Sequence, residues 1–399
     1  MKQNWEYKPV GDISFITDFV SNGSFASLRE NVKYLDVKDY AVLVRYADYT
    51  NGFDEKKFVY VNRQSYEFLS KSKLQAGDII MSNVGSLGKL FICPDLGQPM
   101  SIAPNSILIR TDNNKYYYYF FQSRCFQSEI KRISSTTALP KFNKTQFKKI
   151  PIPVPPLSTQ TAIVSELDAL SAIIADHKSL LKKYDELEQS IFYYMFGDPV
   201  KNDKGWEVDL IGNIWHVSSS KRIYKDDISN EDGIPFLKVA DVVDLINGKC
   251  TPSCFISKSH YEKLREENNV PHYNDILITS RGTLGKVYIM KEEDEFYFQD
   301  GMITWLSAIK KDFNPLFFKF LFENKNYSTK LGIVANQSTV AYISISQIKE
   351  LSIPLPPLPL QQQFASKIES IEQMKADTKK SLAKSEELFN ARMDYYFNA

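Results

Sequence analysis

At 399 residues the chain is too long for one ordinary domain, and with 43% hydrophobic and 24% charged residues it has the composition of a globular protein with a proper core. No apolar run is long enough to span a bilayer, the N-terminus has no apolar signal core, and the four cysteines follow no framework spacing. We therefore expect a cytoplasmic protein that does not enter a membrane. The net charge of +1 is unevenly distributed, since residues 1–157 hold 21 Lys/Arg against 14 Asp/Glu and residues 198–358 hold 19 against 22. The basic first block favours a nucleic-acid partner, whereas the second block supports one less.

The chain repeats its own landmarks about 200 residues apart, in the same order. Each landmark and its second copy are as follows: Trp5-Glu6 and Trp206-Glu207; Gly11-Asp-Ile13 and Gly212-Asn-Ile214; Asp78-Ile-Ile-Met-Ser-Asn-Val-Gly-Ser-Leu-Gly-Lys89 and Asp275-Ile-Leu-Ile-Thr-Ser-Arg-Gly-Thr-Leu-Gly-Lys286; Ile152-Pro-Val-Pro-Pro-Leu157 with Gln160 and Ile353-Pro-Leu-Pro-Pro-Leu358 with Gln361. The residues between the landmarks are largely different. This pattern indicates one scaffold that carries two separate recognition surfaces.

The two globular blocks are predicted to be α/β. In each block two β-rich runs bracket a pair of glycines three residues apart, Gly85 and Gly88 in the first copy and Gly282 and Gly285 in the second. This spacing predicts a hairpin-like turn that uses positive φ. Residues 116–126 and 315–324 are predicted to form short aromatic helices.

A long helical pattern follows each Pro-rich strip, because residues 159–196 contain neither Pro nor Gly and residues near 360–399 repeat the pattern. Apolar residues at alternating steps of four and three predict a coiled-coil seam in which the two helices pack on each other as an antiparallel pair. The seam is poorer in the second helix. Charged residues interrupt it in both helices, at Glu188 in the first and at Lys375 in the second. The predicted seam residues are Ile163, Leu167, Leu170, Ile174, Leu181, Tyr184, Ile191, Phe364, Ile368, Ile371, Leu382 and Phe389.

No catalytic or metal site is predicted. The Gly-Ser/Thr-Leu-Gly-Lys turns fail the phosphate-loop pattern, which needs four residues between its glycines and a Ser or Thr after the Lys, so a structural turn is favoured. Cys250 and Cys254, with His260 and His272 downstream, have an unusual metal-ligand spacing and no equivalent in the first block. They are interpreted as ordinary residues.

The strongest binding signal is the stretch 131–149, which holds six Lys or Arg and no acidic residue. Lys and Arg neutralise phosphates, and Ser, Thr and Asn can donate to the DNA backbone or to base edges. The alternative is a solvated loop and strand edge. The candidate DNA-binding residues are Arg45, Asn83, Lys131, Arg132, Thr136, Thr137, Lys141, Asn143 and Lys144 in the first block and Lys221, Arg222, Arg281, Gln337, Ser338 and Thr339 in the second.

The ordered, duplicated set of landmarks resembles the specificity subunit of type I restriction–modification systems. The resemblance covers essentially the whole chain and is carried by the Trp-Glu starts, the glycine turns, the Pro-rich strips with their Gln, and the long helices. It implies two target recognition domains, at 1–157 and 198–358, and two spacer helices, at 158–197 and 359–399. Each domain would read one half of a split, asymmetric site in double-stranded DNA.

The resemblance also implies partners. Two methyltransferase subunits would dock on the helices, and restriction subunits with translocase activity could then join. The chain itself would be non-catalytic, because S-adenosylmethionine, ATP and Mg²⁺ would belong to the partner subunits. A solo specificity protein, or a partner of a fused restriction–methylation enzyme, remains possible within the family.

Two features depart from the family pattern. The net acidic second block requires a local DNA-binding face or the charge of a partner, and the poorer second seam could reflect an interface with a methyltransferase subunit. Two other classes of function stay open. One is a bilobed adaptor that docks partner proteins without binding DNA, and the other is an enzyme whose metal or nucleotide site the sequence does not reveal.

Overall fold

The computed structural model describes residues 5–135, 139–229, 231–330 and 342–397. The chain divides into two compact units. The first unit comprises Met1–Ser179 with Lys379–Ala399, and the second comprises Leu180–Thr378. The division falls inside both long helices, so each unit contains a globular α/β part and a piece of each helix. The domain boundaries expected from the sequence, which lie at the ends of the helices, remain a prediction.

The first unit contains ten short strands, seven short helices and three 3₁₀ turns among its described residues before the first long helix. The strands are β1 Glu6–Pro9, β2 Phe15–Asp18, β3 Ala41–Val44, β4 Tyr60–Val61, β5 Lys73–Leu74, β6 Ile79–Ser82, β7 Leu90–Ile92, β8 Met100–Ile102, β9 Ser106–Arg110 and β10 Pro151–Val154. The helices are α1 Val10–Ile13, α2 Phe25–Asn31, α3 Tyr46–Thr50, α4 Arg63–Phe68, α5 Asn114–Gln122, α6 Arg124–Arg132, α7 Lys144–Lys148 and the long α8 Leu157–Phe196. The 3₁₀ turns are Phe19–Asn22, Glu55–Lys57 and Ser70–Ser72.

A central antiparallel sheet of order β2-β9-β6-β7 organises this unit. Side chains alternate across a strand, so Ile79 and Met81 face the core formed with α5 and α6, whereas Ile80 faces a second sheet of order β4-β3-β8-β5. In that second sheet β3 and β8 pair in parallel. The strands β1 and β10 form a separate antiparallel ribbon that joins the start of the block to its Pro-rich strip.

The second unit repeats this plan. Its strands are β11 Val208–Leu210, β12 His216–Ser218, β13 Ile228–Ser229, β14 Ile234–Leu237, β15 Phe255–Ile256, β16 Ile276–Thr279, β17 Val287–Ile289, β18 Tyr297–Phe298, β19 Ile303–Ser307 and β20 Ser352–Pro354. Its helices are α9 Ile211–Ile214, α10 Val239–Ile246, α11 Lys258–Glu266, α12 Pro315–Glu323, α13 Lys325–Lys330, α14 Ile345–Glu350 and the long α15 Leu358–Phe397, with a 3₁₀ turn at Lys225–Asp227.

The central sheet of the second unit has the order β12-β19-β16-β17, which matches the first unit strand for strand. A second sheet of order β13-β15-β14-β18 covers it, and β11 pairs with β20 as β1 does with β10. The α/β class and the internal duplication predicted from the sequence are therefore confirmed. The aromatic helix predicted at 116–126 is wrong in its extent, because it ends at Gln122 and Ser123 caps a new helix by accepting a hydrogen bond from the Phe126 amide.

The repeated Gln of each Pro-rich strip has a structural role. Gln160 donates to the Pro155 carbonyl at 2.9 Å, and Gln361 donates to the Pro356 carbonyl at 2.7 Å. Both side chains are buried, and each one ties the first turn of a long helix to the strip that precedes it. Gln361 also accepts a hydrogen bond from the Asn314 amide at 2.8 Å, which fixes the start of α12.

The long helices α8 and α15 pack as an antiparallel pair. Within the first unit Arg392 pairs with Glu166 and Glu386 pairs with Lys178, so the contacts move down one helix as they move up the other. The seam residues Ile163 and Leu167 are buried here in the core of the first unit, and Phe389 packs against the same core.

The second unit buries the charged seam positions against each other. Glu188 exposes 8% of its side chain and Lys375 exposes 11%, and their charged atoms lie 3.1 Å apart. Asp185 and Glu372, which are more exposed, also contact the Lys375 ammonium at 2.7 and 2.9 Å. Two of the charged seam positions, one from each helix, are thus ion-pair partners.

The other predicted seam residues are at least partly buried. Phe364, Ile368 and Ile371 are buried in the core of the second unit, and Tyr184 and Ile191 pack against that core. Leu170, Ile174, Leu181 and Leu382 are half-buried along the helices.

Candidate nucleic-acid interface

The repeated glycines form tight hairpin turns between the last two strands of each central sheet. In the first unit β6 and β7 pair antiparallel, and the turn between them places Gly85 at φ 75° and Gly88 at φ 70°. In the second unit Gly282 and Gly285 have φ values of 74° and 72°. These left-handed conformations favour glycine, which explains why both positions repeat. The predicted turn with positive φ is confirmed.

A second segment lies beside each turn. In the first unit Val84 bridges Lys141, the Gly85 amide donates to the Pro140 carbonyl at 3.2 Å, and the Phe142 amide donates to the Asn83 carbonyl at 3.3 Å. We call residues 83–85 and 139–142 together the first turn edge.

The second unit builds the equivalent feature. Arg281 bridges Tyr342, and the Ile343 amide donates to the Ser280 carbonyl at 3.0 Å. Residues 280–282 and 342–343 form the second turn edge. The same backbone connections therefore carry different side chains in the two units.

Several predicted DNA-binding residues converge on the first turn edge. Asn83 and the exposed Lys141 belong to it, and the Ser135 amide that follows α6 donates to the Lys141 carbonyl at 2.9 Å. Lys131 and Arg132 are exposed at the end of that helix, where Arg132 pairs with Glu129 at 2.6 Å. The structure thus brings the basic stretch and the glycine turn together.

Two other candidates near this edge are engaged in local structure. Asn143 caps α7 by accepting a hydrogen bond from the Gln146 amide at 2.8 Å, and Lys144 pairs with Asp18 at 3.0 Å. The predicted Thr136 and Thr137 lie outside the described residues.

Arg45 is held by the segment between β3 and β4 of the first unit. Its guanidinium contacts both carboxylate oxygens of Asp48, which is 1% exposed, and donates to the Lys57 carbonyl at 2.6 Å. This arrangement ties the start of α3 to the 3₁₀ turn Glu55–Lys57. Arg45 therefore has a structural function that the sequence did not reveal.

In the second unit the predicted cations differ in whether they form ion pairs within the protein. Lys221 pairs with Glu267 at 2.7 Å and Arg222 lies 3.9 Å from Asp300. Arg281 is exposed, and no carboxylate among the described residues lies within ion-pair distance of it. The predicted Gln337, Ser338 and Thr339 lie outside the described residues.

An apolar groove beside the first turn edge was not predicted. It has a volume of about 810 Å³ and is lined by Phe25, Tyr34 and Leu139, whose side chains are all more than half exposed. The cations Arg29 and Lys141 also line it, and neither has an ion-pair partner among the described residues. The sequence gives no signal for this groove, because Phe25 stands three residues before the buried Leu28 and its spacing predicts burial on the same helix face.

The cysteines and histidines of the second unit do not assemble into a metal site. Cys254 is buried in an apolar cluster with Ile256 and Tyr261, whereas Cys250 packs against a different cluster. Over the whole described part of the chain, no group of three or more His, Cys, Asp or Glu is placed to hold a metal ion.

A comparison with known families identifies the family to which the chain belongs. The family model of the type I restriction modification DNA specificity domain matches this chain twice, at residues 2–189 and 203–388. The chain belongs to this family. Each match contains one copy of the landmarks and continues into the long helix that follows it, so the chain carries two copies of this specificity domain.

Two relatives of this chain are both described as specificity subunits of type I restriction enzymes. A putative type I restriction enzyme specificity subunit of Haemophilus influenzae is 30% identical over 260 residues, which cover 64% of this chain and 64% of that protein. The putative MjaX specificity subunit of Methanocaldococcus jannaschii is 23% identical over 93% of this chain and 88% of its own length.

Two solved structures share the fold. The S subunit of a type I restriction–modification system from M. genitalium matches 99% of this chain and 96% of its own at a TM-score of 0.56 and 14% identity. A chain from a study of complex assembly and conformational transition of the type I R-M system matches 98% and 97% at a TM-score of 0.57 and 18% identity.

The helices were also compared with the requirements of a bilayer. Within the described part of the chain, no helix is both long enough and apolar enough to cross a membrane.

Proposed function

We propose that this chain is the sequence-recognition subunit of a type I restriction–modification complex and directs a methyltransferase to a split, asymmetric DNA site. Each specificity domain reads one half-site through its turn edge. The observation that carries this proposal is the duplicated turn edge, because the same backbone frame presents Val84 and Lys141 in one unit and Arg281 and Tyr342 in the other. Unlike side chains on equivalent frames recognise unlike sequences.

The charge of the first turn edge supports a polyanionic ligand. Arg29 and Lys141 lack ion-pair partners among the described residues, and residues 1–157 carry a net charge of +7. In the second unit Arg281 provides a local cation although residues 198–358 carry −3. Phosphate contacts from such cations give affinity that decreases with salt.

The partners follow from the family. Two methyltransferase subunits would dock on the paired helices α8 and α15, and restriction subunits with translocase activity would join them. S-adenosylmethionine, ATP and Mg²⁺ would be bound by these partners, and the chain itself would perform no catalysis. A cytoplasmic location, where such a complex meets DNA, is part of the same proposal.

The test is a methylation map of DNA from cells that express the methyltransferase partner with and without this chain. A split motif of two short unlike halves, methylated only when the chain is present, is the expected result. A soluble complex that gives no chain-dependent methylation would contradict the proposal and favour the adaptor function.

A binding measurement tests the turn edge directly. We expect Arg29→Ala with Lys141→Ala to weaken DNA binding by the assembled complex and to reduce the slope of log affinity against log salt by about 2. The matched control is Lys56→Ala with Lys71→Ala, which removes the same charge from exposed positions of the first unit that lie outside the turn edge and outside the paired helices. Equal effects of the two pairs would refute a specific role for the edge.

A further inference from the structure

The residue before the first glycine of the turn distinguishes the two turn edges. Val84 and Arg281 both precede the first glycine of the turn, and both form the bridge to the neighbouring segment. The backbone around them is held alike, since the residue before each one accepts a hydrogen bond from Phe142 or Ile343. An apolar side chain in one unit thus stands where a cation stands in the other.

The backbone at Arg281 is held firmly, whereas its guanidinium forms no ion pair with the described residues. The preceding Ser280 is buried, its hydroxyl lies 2.6 Å from that of Thr304, and its amide donates to the Met302 carbonyl at 2.9 Å. The guanidinium itself is exposed, and among the described residues its polar contact is with the Met302 sulfur at 4.0 Å. Its donors are therefore available for a ligand that offers two acceptors side by side.

Guanine offers such acceptors in the major groove. Its O6 and N7 match the forked donors of arginine, whereas adenine presents one acceptor and one donor at the same place. A lysine would supply charge but not the planar fork. The chemistry of Arg281 therefore favours a guanine over the other three bases.

The equivalent position of the first unit suits a different base. Val84 lines the apolar groove together with Phe25, Tyr34 and Leu139. The C5-methyl group of thymine is the apolar feature that the major groove presents. Because Arg29 and Lys141 line the same groove, the ligand that fits carries negative charge next to apolar surface, as DNA does.

We propose that the position shared by Val84 and Arg281 selects one base in each half-site. Arg281 donates two hydrogen bonds to O6 and N7 of a guanine in the half-site of the second unit. Val84 and the apolar groove contact the methyl group of a thymine in the half-site of the first unit. This inference rests on the proposed function, in which each unit reads one half-site.

The first experiment separates the two proposals. The methylation map of the wild-type complex must yield a split motif before the base assignment is tested. Its absence refutes the proposed function and the inference that rests on it, whereas a split motif without the base effects described below refutes the inference alone. Once the motif is known, duplexes are prepared with 7-deazaguanine at each guanine and with uracil at each thymine. Competition binding to the assembled complex then measures the loss at every position.

The expected results concern one half-site at a time. One guanine loses roughly tenfold to hundredfold in affinity when its N7 is removed, and Arg281→Ala makes the complex insensitive to that change. One thymine in the other half-site loses roughly fourfold when its methyl group is removed, and Val84→Ala weakens that sensitivity. The control Lys286→Ala removes an exposed cation just after the same turn and should lower affinity for all duplexes equally.

Three outcomes would overturn the inference. The motif could lack a guanine in one half and a thymine in the other, Arg281→Ala could retain the full sensitivity to 7-deazaguanine, or replacement of every thymine by uracil could leave affinity unchanged. Thermal unfolding of each variant provides the folding control, since Arg281 is exposed and its replacement should leave the melting temperature unchanged.

Discussion

The buried ion pair between Glu188 and Lys375 makes a quantitative prediction about stability. Replacing Lys375 by Met removes the ammonium and leaves a carboxylate that is only 8% exposed beside two other carboxylates, Asp185 and Glu372. Breaking a buried pair in this way costs about 3–5 kcal/mol, because the remaining charge is desolvated and unpaired. We therefore expect Lys375→Met to lower the free energy of unfolding of the second unit by up to that amount at pH 8. The loss is smaller where Glu188 takes up a proton, because a neutral carboxyl group costs less to bury than a charged one.

The pH dependence of the wild-type protein follows from the same cluster. Burial raises the pKa of Glu188 to about 7 despite the ammonium of Lys375, and the neighbouring carboxylate of Glu372 adds to the increase. Burial opposes the charge of Lys375, but hydrogen bonds with Asp185, Glu372 and Glu188 outweigh it and raise the pKa of this ammonium, which stays charged.

The sign of the effect is therefore fixed. Glu188 binds a proton in the folded state near pH 7 but in the unfolded chain only near its ordinary pKa of 4.5. Its contribution to stability is fully present below pH 4.5 and is lost as the pH rises through 7. Each pKa unit corresponds to 1.36 kcal/mol, so the change over this window is about 3 kcal/mol.

Urea unfolding followed by tryptophan fluorescence measures both effects, because Trp206, Trp215 and Trp305 all belong to the second unit. The double variant Glu188→Leu with Lys375→Leu is the decisive control. Replacing both partners by apolar groups is expected to be neutral or to stabilise by about 1–4 kcal/mol. If the double variant loses as much stability as Lys375→Met, or if Lys375→Met loses none, the reasoning from burial is wrong.

Three further predictions concern residues that the repeat marks as landmarks. Gln361→Ala should cost more stability than Gln160→Ala, roughly 2 against 1 kcal/mol, because Gln361 makes one more hydrogen bond through its carbonyl oxygen, and urea unfolding of the two variants measures the difference. Asp78→Ala should destabilise the first unit by roughly 2–3 kcal/mol, since the buried carboxylate accepts two hydrogen bonds of 2.6 Å from Arg110; circular dichroism during urea unfolding checks this. Gly282→Ala should cost about 1–2 kcal/mol from its φ of 74° alone, because no described residue lies within 4 Å of the added methyl group; thermal unfolding would contradict this if the variant matched the wild type.

The sequence was sufficient for features that depend on local chemistry. The glycine turns, the strands that bracket them and the two long helices follow from φ requirements, β-rich runs and the absence of Pro and Gly over almost 40 residues. The start of α12 at Pro315 agrees with the prediction because Asn314 caps the helix and Pro occupies its first turn. The break at Ser123 was missed because a capping serine inside an aromatic run leaves the apolar pattern continuous.

The sheet topology could not be predicted for a physical reason. The strands are two to five residues long, and the central sheet pairs β2 with β9, which lie about 90 residues apart in the chain. Short apolar runs do not specify a partner or a register by themselves. The apolar groove depends on that topology, since it joins α2 to a turn more than 50 residues away, and so it could not be predicted either.

The candidate DNA-binding residues were chosen by charge and polarity. Charge alone does not show whether a side chain is already paired with a carboxylate of the same protein. Lys144, Lys221 and Arg45 look alike in the sequence, but each is paired with a carboxylate in the folded chain. Lys141 and Arg281 have no such partner among the described residues. Only the fold separates cations that stabilise the protein from cations that are free to meet a ligand.

The duplicated landmarks serve folding, whereas the residues that differ between the two copies are available for recognition. The repeated Gln and Gly residues stabilise the backbone of each unit. The Gln side chains donate hydrogen bonds to backbone carbonyls, and the Gly residues adopt the positive φ that the turns require. The positions that differ at the turn edges, Val84 and Arg281, are bonded to the frame through their backbone, so their side chains can change without loss of the fold. A scaffold of this kind can exchange its base preference by substitution at a few exposed positions, and two copies of it can therefore recognise two unlike half-sites.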